Sequence, residues 1–166
     1  MINEVLEFIA VELNNYFKAT FQITEDKVVV SNLVNSDGSV PISINDKTVM
    51  CLVNIDQGSN TANVGFSKTA QADKQSLNMN LEVLFAAYFS PSNYVESLKF
   101  ISTTLSFFQS NTIFQKANYP NMPKSIDKLE LELINLSPED TNYVWNTLGA
   151  KYMPSLMYKI KITAAN

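Results

Sequence analysis

The sequence predicts an α+β fold, in which about three helices pack on a mixed or antiparallel sheet. Three observations support this prediction. Segments with apolar residues at three- and four-residue steps are interleaved with segments in which every second residue is apolar. The resulting order of elements, α-β-β-β-α-β-α-β, lacks the strict alternation of a parallel α/β sheet. A length of 166 residues and an apolar fraction of 46% fit a single domain, residues 1–166, with a real core.

The first predicted element is an amphipathic helix from about Ile2 to Thr20. Its apolar stripe consists of Ile2, Val5, Leu6, Ile9, Leu13, Tyr16 and Phe17. Glu4, Glu7 and Glu12 lie mainly on its flanks and outer face. Helices that lie on membranes carry basic residues opposite the apolar stripe. The acidic outer face therefore favours packing against the protein's own core.

Strands are predicted next. Lys27–Val34 is rich in β-branched residues, and the Asp37-Gly38 pair after it favours a tight turn. The segment VPISI is interpreted as a short edge strand, because Pro41 cannot donate a hydrogen bond to a neighbouring strand. Lys47–Ile55 is apolar on both faces, which is typical of a central strand covered on both sides.

The segment from Asp56 to Ser76 is small, polar and aperiodic. A gap of this length inside a compact domain is unusual and tends to be functional or disordered. We interpret it as a mobile loop or a long hairpin tip, with a tolerated insertion as the alternative.

A strand and a second helix follow the polar segment. The strand, Leu77–Ser90, places alternate apolar residues on one face: Leu77, Met79, Leu81, Val83 and Phe85. The helix begins near Pro91, which suits a first helical position, and Ser90 or Ser92 is its predicted N-cap. Its predicted buried stripe comprises Val95, Leu98, Ile101, Leu105 and Phe108.

The C-terminal part predicts strand, helix and strand. Ser137 caps the helix with Asp140 as its capping-box partner, Pro138 opens it and Gly149 closes it. Leu129, Leu131 and Leu133 share one face of the preceding strand, opposite Lys128, Glu130 and Glu132. In the last strand Leu156, Tyr158, Ile160 and Ile162 lie opposite Met157, Lys159, Lys161 and Thr163.

Two of these strands carry opposite charges. If the two strands are neighbours, Glu130 and Glu132 can pair with Lys159 and Lys161, for roughly 0.2–1 kcal/mol per pair. If they are not, an acidic strip and a basic strip could match head to tail in a ring of identical subunits. An ordinary solvated face is the third interpretation.

Composition excludes several classes of function. With 12 basic and 16 acidic residues the net charge is −4, and no basic stripe suggests a nucleic-acid partner. No apolar run approaches the length of a membrane span, so we expect no membrane partner. The N-terminus carries early glutamates and no basic leader, so we expect synthesis and folding in the cytoplasm.

Catalytic chemistry has little support in the sequence. The absence of histidine removes the commonest general base, the usual zinc ligand and every Ser-His or Cys-His pair. Cys51 is interpreted as a buried apolar residue, although a reactive thiol is the alternative. The carboxylate pairs Glu25-Asp26 and Glu139-Asp140 have structural explanations, and a Ser-Lys dyad stays open. We predict no catalytic, cofactor-binding or metal-binding residue.

Several stretches together resemble one known family. In order, they are VVVSNLVNSDGSVPI, MCLVNI, LNMNLEVLFAAYFSPSNYVESLKFIS, FFQSNTIF and WNTLGAKYMPSLMYKIKI. They are similar to the N-terminal domain family of the cap, or tail-terminator, proteins of phage-tail-like contractile injection systems. The resemblance covers nearly the whole chain, and NLEVLFAAYFS and LGAKYMPS are its most specific parts.

The resemblance implies a tail-terminator-like fold and a structural role without catalysis or cofactor. Such proteins form a ring, a hexamer, on the end of the inner tube away from the baseplate and stop growth of tube and sheath. The implied partners are other copies of the chain, the inner tube protein and the sheath protein, in an assembled particle. Another tail component (a tube initiator or a sheath adaptor) and a small ligand-binding or hydrolytic module are the alternatives.

Contact residues are predicted from the polar segment and the charged strands. We expect the polar segment to become ordered against tube, sheath or a neighbouring subunit. The candidate contact residues are Gln57, Asn60, Asn63, Lys68, Lys74, Glu130, Glu132, Lys159 and Lys161.

Overall fold

The computed structural model describes residues 1–58 and 78–165. Its helices are α1 (Ile2–Phe21), α2 (Tyr94–Ser110) and α3 (Pro138–Leu148). Its strands are β1 (Val28–Val30), β2 (Lys47–Gln57), β3 (Asn78–Tyr88), β4 (Ile113–Gln115), β5 (Ile126–Ile134) and β6 (Ser155–Ala164). The strands form a six-stranded sheet in the order β1-β2-β3-β6-β5-β4. Only β1 and β2 run parallel, and the other neighbours are antiparallel, so the predicted α+β fold with a mixed sheet is confirmed.

The sheet curls so that α1 lies between its two edges. Near its start, α1 packs Phe8 against Phe114 of the edge strand β4, with ring centroids 5.6 Å apart. Two turns later, Asn14 of the same helix bonds to Val28 of the opposite edge strand, β1. A single helix can contact both edges only if the sheet is curved, and α1 therefore lies across its open side.

Asn14 completes the hydrogen bonding of β1. Its Oδ1 accepts hydrogen bonds from the backbone N–H groups of Lys27 and Val28, each at 2.8 Å, and its Nδ2 donates to the carbonyl of Val28 at 3.0 Å. The other side of β1 bonds to β2, for example from Thr48 N to the carbonyl of Lys27 at 2.7 Å. The side chain thus replaces the missing neighbouring strand and leaves no open edge at this point.

The core divides between the two faces of the sheet. On the concave face, α1 and α2 cover residues that include Met50, Leu81, Val83, Phe85, Leu129, Leu131, Tyr158, Ile160 and Ile162. On the convex face, α3 and the segment after β1 cover a smaller cluster: Leu33, Ile44, Val49, Cys51, Leu84, Ala86, Trp145 and Met157. The second cluster reaches only part of the convex face, and the rest of that face is polar.

The segment between β1 and β2 differs from its prediction. β1 ends at Val30 rather than Val34, and the predicted edge strand VPISI is a 3₁₀ turn, Ile42–Ile44. Because β1 and β2 are parallel, the chain must return along the sheet, and it does so over the convex face. Ile44 is buried there, whereas Ile42 is 87% exposed. The tight turn at Asp37-Gly38 is confirmed, with a φ of 82° at Gly38.

Of the buried stripe predicted for α2, only Phe108 is fully buried, while Ile101 and Leu105 are half-buried and Val95 and Leu98 are exposed. The buried residues are instead Ser97, Phe100, Thr104, Phe107 and Phe108. Val95 and Leu98 are exposed because the helix is apolar on two sides and the phenylalanine side faces the core. The predicted serine N-cap is also wrong, since a 3₁₀ turn, Pro91–Asn93, precedes the helix and no side chain caps it.

The predicted N-cap and end of α3 and the predicted faces of β6 are confirmed, whereas the capping-box role of the Asp140 side chain stays a prediction. Ser137 caps α3, because its Oγ accepts a hydrogen bond from Asp140 N at 3.1 Å, and Gly149 ends the helix with a φ of 66°. The predicted faces of β6 are correct, with Ile160 and Ile162 in the concave core. The short strand β4 was not predicted.

Candidate interaction surfaces

The two ends of the sheet differ, and we name them by the chain connections there. At the hairpin end β2 ends and β3 begins, and Gln57 pairs with Met79. At the corner end β3 ends and β6 begins, and Ala86 pairs with Ser155. The polar segment predicted at 56–76 starts later than expected, because Asp56 and Gln57 belong to β2.

The uncovered part of the convex face forms a charged surface near the hairpin end. Its strands β5 and β6 are neighbours, with Glu130 opposite Lys161 and Glu132 opposite Lys159. On its other side, Lys159 lies opposite Glu82 of β3, so Glu132, Lys159 and Glu82 form one row across three strands. Of the alternatives left by the sequence, the structure therefore has paired charges on adjacent strands rather than separate acidic and basic strips.

Ion pairs connect the members of this charged surface. Lys161 Nζ lies 2.9 Å from Glu132 Oε2, and Lys128 pairs with Glu130. The hydrogen bond and charge of Lys161 lower the pKa of Glu132, and Glu132 in turn raises the pKa of Lys161. Both groups are exposed to solvent, so the pair orders the surface more than it stabilises the fold.

Asp56 extends the network to β2. Its Oδ1 accepts a hydrogen bond from Asn80 Nδ2 at 2.6 Å, and its Oδ2 lies 4.0 Å from Lys159 Nζ. A cavity of about 410 Å³ opens beside it at the hairpin end, lined by Gly58, Asn78, Asn80, Glu130, Lys161, Ile162 and Thr163. Its lining is polar and its charges are already paired, so it lacks the apolar walls of a typical small-molecule site.

Of the other predicted contact residues, the structure describes Gln57. Gln57 is exposed at the end of β2. Asn60, Asn63, Lys68 and Lys74 lie outside the described residues.

An apolar groove at the corner end was not predicted. This aromatic groove has a volume of about 450 Å³ and includes Tyr88, Phe89, Tyr94, Lys151, Tyr152 and Pro154 among its lining residues. Tyr152 is 67% exposed, and its ring packs against buried Trp145 at a centroid distance of 5.6 Å. A second cavity, of about 320 Å³, adjoins it and shares Tyr88, Lys151 and Met153.

The sequence held a signal for an exposed apolar face on α2, but the predicted periodicity assigned that face to the core. Val95, predicted to be buried, is 69% exposed, and Leu98 is also exposed, on the helix that contributes Tyr94 and Ser97 to the groove. Two apolar faces on one helix indicate that only one of them can face the core of a single domain. The second face is then available for another molecule.

A third surface lies on the outer side of α1, and we call it the acidic surface. Glu4, Glu7, Val11, Asn121 and Pro123 line a shallow depression there, together with the edge of Phe8. Val11 is 49% exposed. The nearby loop is held by a hydrogen bond of 2.8 Å from Asn121 Nδ2 to Glu12 Oε1.

The remaining candidate groups are structural. Cys51 is buried, as predicted, and burial raises the pKa of its thiol, which opposes nucleophilic reactivity. Glu25 and Asp26 form ion pairs with Lys27 at 2.8 Å and Lys18 at 2.7 Å. Within residues 1–58 and 78–165, nowhere do three metal-ligating side chains of His, Cys, Asp or Glu come together. No helix in those ranges has the length and apolar character needed to cross a membrane.

Comparison with protein families gives one match along nearly the whole chain. The model of the family described as the Pvc16 N-terminal domain matches residues 4–166. The comparison with curated proteins gave no match.

Two solved structures share the fold. One is the tube-terminating cap of the anti-feeding prophage, with a TM-score of 0.53 and 13% identity over 93% of this chain and 53% of that chain. The other is the sheath/tube terminator of the PVC extracellular contractile injection system in its extended state, with a TM-score of 0.50 and 15% identity over 94% of this chain and 56% of that chain. The chain thus spans about half the length of the caps that it resembles.

Proposed function

The chain belongs to the family of Pvc16 N-terminal domains, and from this premise we propose that it is a cap protein, or tail terminator, of a contractile injection system. It forms a ring at the end of the tube and sheath and stops their polymerisation. The observation that carries the proposal is the family match over residues 4–166. The fold shared with a tube-terminating cap and with a sheath/tube terminator supports it.

The surfaces described above suit a protein that acts by shape. The described residues place paired charges on the convex face and a preformed apolar groove at the corner end. The relatives are structural cap proteins, so we propose a role without catalysis, cofactor or nucleic-acid partner. Its partners are other copies of the chain, in a ring of six, together with the tube and sheath proteins. Folding in the cytoplasm precedes assembly into the particle.

The polar connection between β2 and β3 has a proposed role in these contacts. The prediction that residues 56–76 contact tube, sheath or a neighbour stays a prediction, with Gln57, Asn60, Asn63, Lys68 and Lys74 as its candidates. Replacing residues 59–77 by a short turn tests it. Gly58 N donates to the carbonyl of Asn78 at 3.1 Å, so the two strand ends are close enough for a short connection. The shortened protein is expected to fold and to lose capping. Particles of normal length would reject this role.

Deletion of the chain from particle-producing cells tests the function itself. We expect tubes and sheaths of irregular length, measured by electron microscopy, and a return to uniform length when the chain is supplied from a plasmid. Tubes of ordinary length in its absence would contradict the proposal.

The position of the chain in the particle separates the alternatives. A terminator labels only the end opposite the baseplate, whereas a tube initiator or a sheath adaptor labels the baseplate end. A ligand-binding module would label neither end.

A further inference from the structure

We propose that the ring is closed head to tail, with the aromatic groove of one copy bound to the acidic surface of the next copy. This inference rests on the proposed function, because it names the contact that builds the proposed ring. It commits to a second copy of this chain as the occupant of the groove.

The groove is preformed for an apolar side chain. Four aromatic residues line it: Tyr88, Phe89, Tyr94 and Tyr152. Rigid aromatic side chains provide large contact areas with little loss of conformational freedom and dominate the binding energy of many interfaces. Tyr152 packs on buried Trp145, which holds one side of its ring in place while 67% of the residue stays exposed to a partner.

The acidic surface complements the groove in polarity and in charge. Val11 is an exposed apolar residue on it, and Glu4 and Glu7 lie beside Val11 on the same outer face of α1. Lys151 is the one charged residue that lines the aromatic groove in the described chain. Glu4 already pairs with the N-terminal ammonium group at 3.0 Å, so we assign the contact with the Lys151 ammonium group to the Glu7 carboxylate. Such complementarity fixes the register of an interface.

The two surfaces lie at opposite ends of the sheet. α1 starts beside the β4–β5 connection, where Phe8 packs on Tyr119 with ring centroids 5.9 Å apart. This connection lies at the hairpin end, because β5 starts there, at Ile126, opposite the end of β6. α1 ends at the corner end, where Phe21 packs on Phe100 and Phe100 packs on Phe89. The acidic surface is on the first half of α1, whereas the aromatic groove is at the corner end.

Two different surfaces at opposite ends make a heterologous contact. After two copies bind, one groove and one acidic surface stay free, so further copies add in the same way until the ring closes. The charged surface on the convex face is a poorer candidate. Its carboxylates and ammonium groups are already paired within the sheet, as in the Lys161–Glu132 pair.

Site-directed crosslinking of the cap within purified particles tests this contact. The variant Val11→Cys/Tyr152→Cys is treated with a short bismaleimide, and Cys51 is buried and does not interfere. We expect a ladder of crosslinked cap subunits that ends at the closed ring. Particles that carry a mixture of the two single variants should give dimers only, and particles with either single variant alone should give none.

Charge reversal supplies a second, independent test. Lys151→Glu and Glu7→Lys are each expected to lose the cap from particles, and the combined variant should restore it because the charges match again. Glu139→Lys reverses an exposed charge outside both surfaces and should leave the cap bound.

The outcomes separate this inference from the proposed function. If the particles have normal length and this length still depends on the cap, but no crosslinks form, then the head-to-tail contact is wrong and the proposed function stands. Crosslinking of Val11→Cys alone would indicate a two-fold contact and contradict the ring. If particle length does not change when the chain is deleted, the proposed function itself is wrong.

Discussion

At the residue scale, Asn14 is the side chain on which the β1 edge depends. It holds two backbone N–H groups and one carbonyl of the segment Lys27–Val28, although its helix is separated from them by a turn. Sequence periodicity could not reveal this, because a polar residue on an amphipathic helix looks the same whether or not it has a buried partner. The burial of Cys51 was predictable, since its immediate neighbours in the sequence are apolar.

The first prediction concerns this residue. Asn14→Ala leaves three backbone groups without a partner, and we expect it to lower the free energy of unfolding by about 3 kcal/mol. Asn15→Ala is the matched control, because Asn15 is exposed on the same helix, and it should change stability by less than about 0.5 kcal/mol. Urea denaturation followed by circular dichroism measures both. Equal stabilities of the two variants would contradict the role of Asn14.

The second prediction concerns two buried threonines. Thr48 is 0% exposed, and its Oγ1 is the one buried side-chain oxygen or nitrogen without a hydrogen-bond partner in the described residues. Thr104 is equally buried, but its Oγ1 donates to the carbonyl of Phe100 at 2.8 Å. We therefore expect Thr48→Val to raise the free energy of unfolding by about 1 kcal/mol and Thr104→Val not to raise it. The same change in both variants would show that Thr48 has a partner.

At the element scale, the ends of α3 combine the clearest signals in the sequence. Ser137, Pro138 and Gly149 act through the backbone of their own helix, so no knowledge of the rest of the fold was needed. β4 gave no signal because three residues cannot show an alternation. The turn Ile42–Ile44 was mistaken for a strand because β-branched residues also suit a segment that buries one side chain in a second core.

The third prediction concerns the end of α3. Gly149 has a φ of 66°, and a Cβ there would meet no atom within 4 Å, so a substitution acts through backbone strain alone. Gly149→Val should lower the free energy of unfolding by about 1–3 kcal/mol, because a β-branched residue resists positive φ. Gly149→Asn should lower it less, since asparagine tolerates this conformation better. Thermal unfolding compares the two, and an unchanged melting temperature for the valine variant would contradict the prediction.

At the scale of the whole molecule, the sequence predicted the class of fold but not its arrangement. The strand order and the parallel pairing of β1 with β2 depend on contacts between distant segments. The curl of the sheet follows from α1 reaching both edges, which no local pattern encodes. The same limit applies to the surfaces. The charged pairs on β5 and β6 were proposed from the alternation of residues within each strand. The aromatic groove could not be predicted in this way, because it is assembled from three separate segments.

The position of β6 has a consequence for biosynthesis. The last strand of the described chain lies in the middle of the sheet, between β3 and β5, and its Ile160 and Ile162 belong to the concave core. A ribosome must therefore release residues 1–164 before the centre of this sheet can form. We expect a protein that stops at residue 154 to remain unstructured by circular dichroism, and a cooperative unfolding transition of that product would refute this. Nascent chains accordingly depend on protection from aggregation until β6 has left the ribosome, and a stop codon just before β6 is as damaging to this fold as one near residue 1.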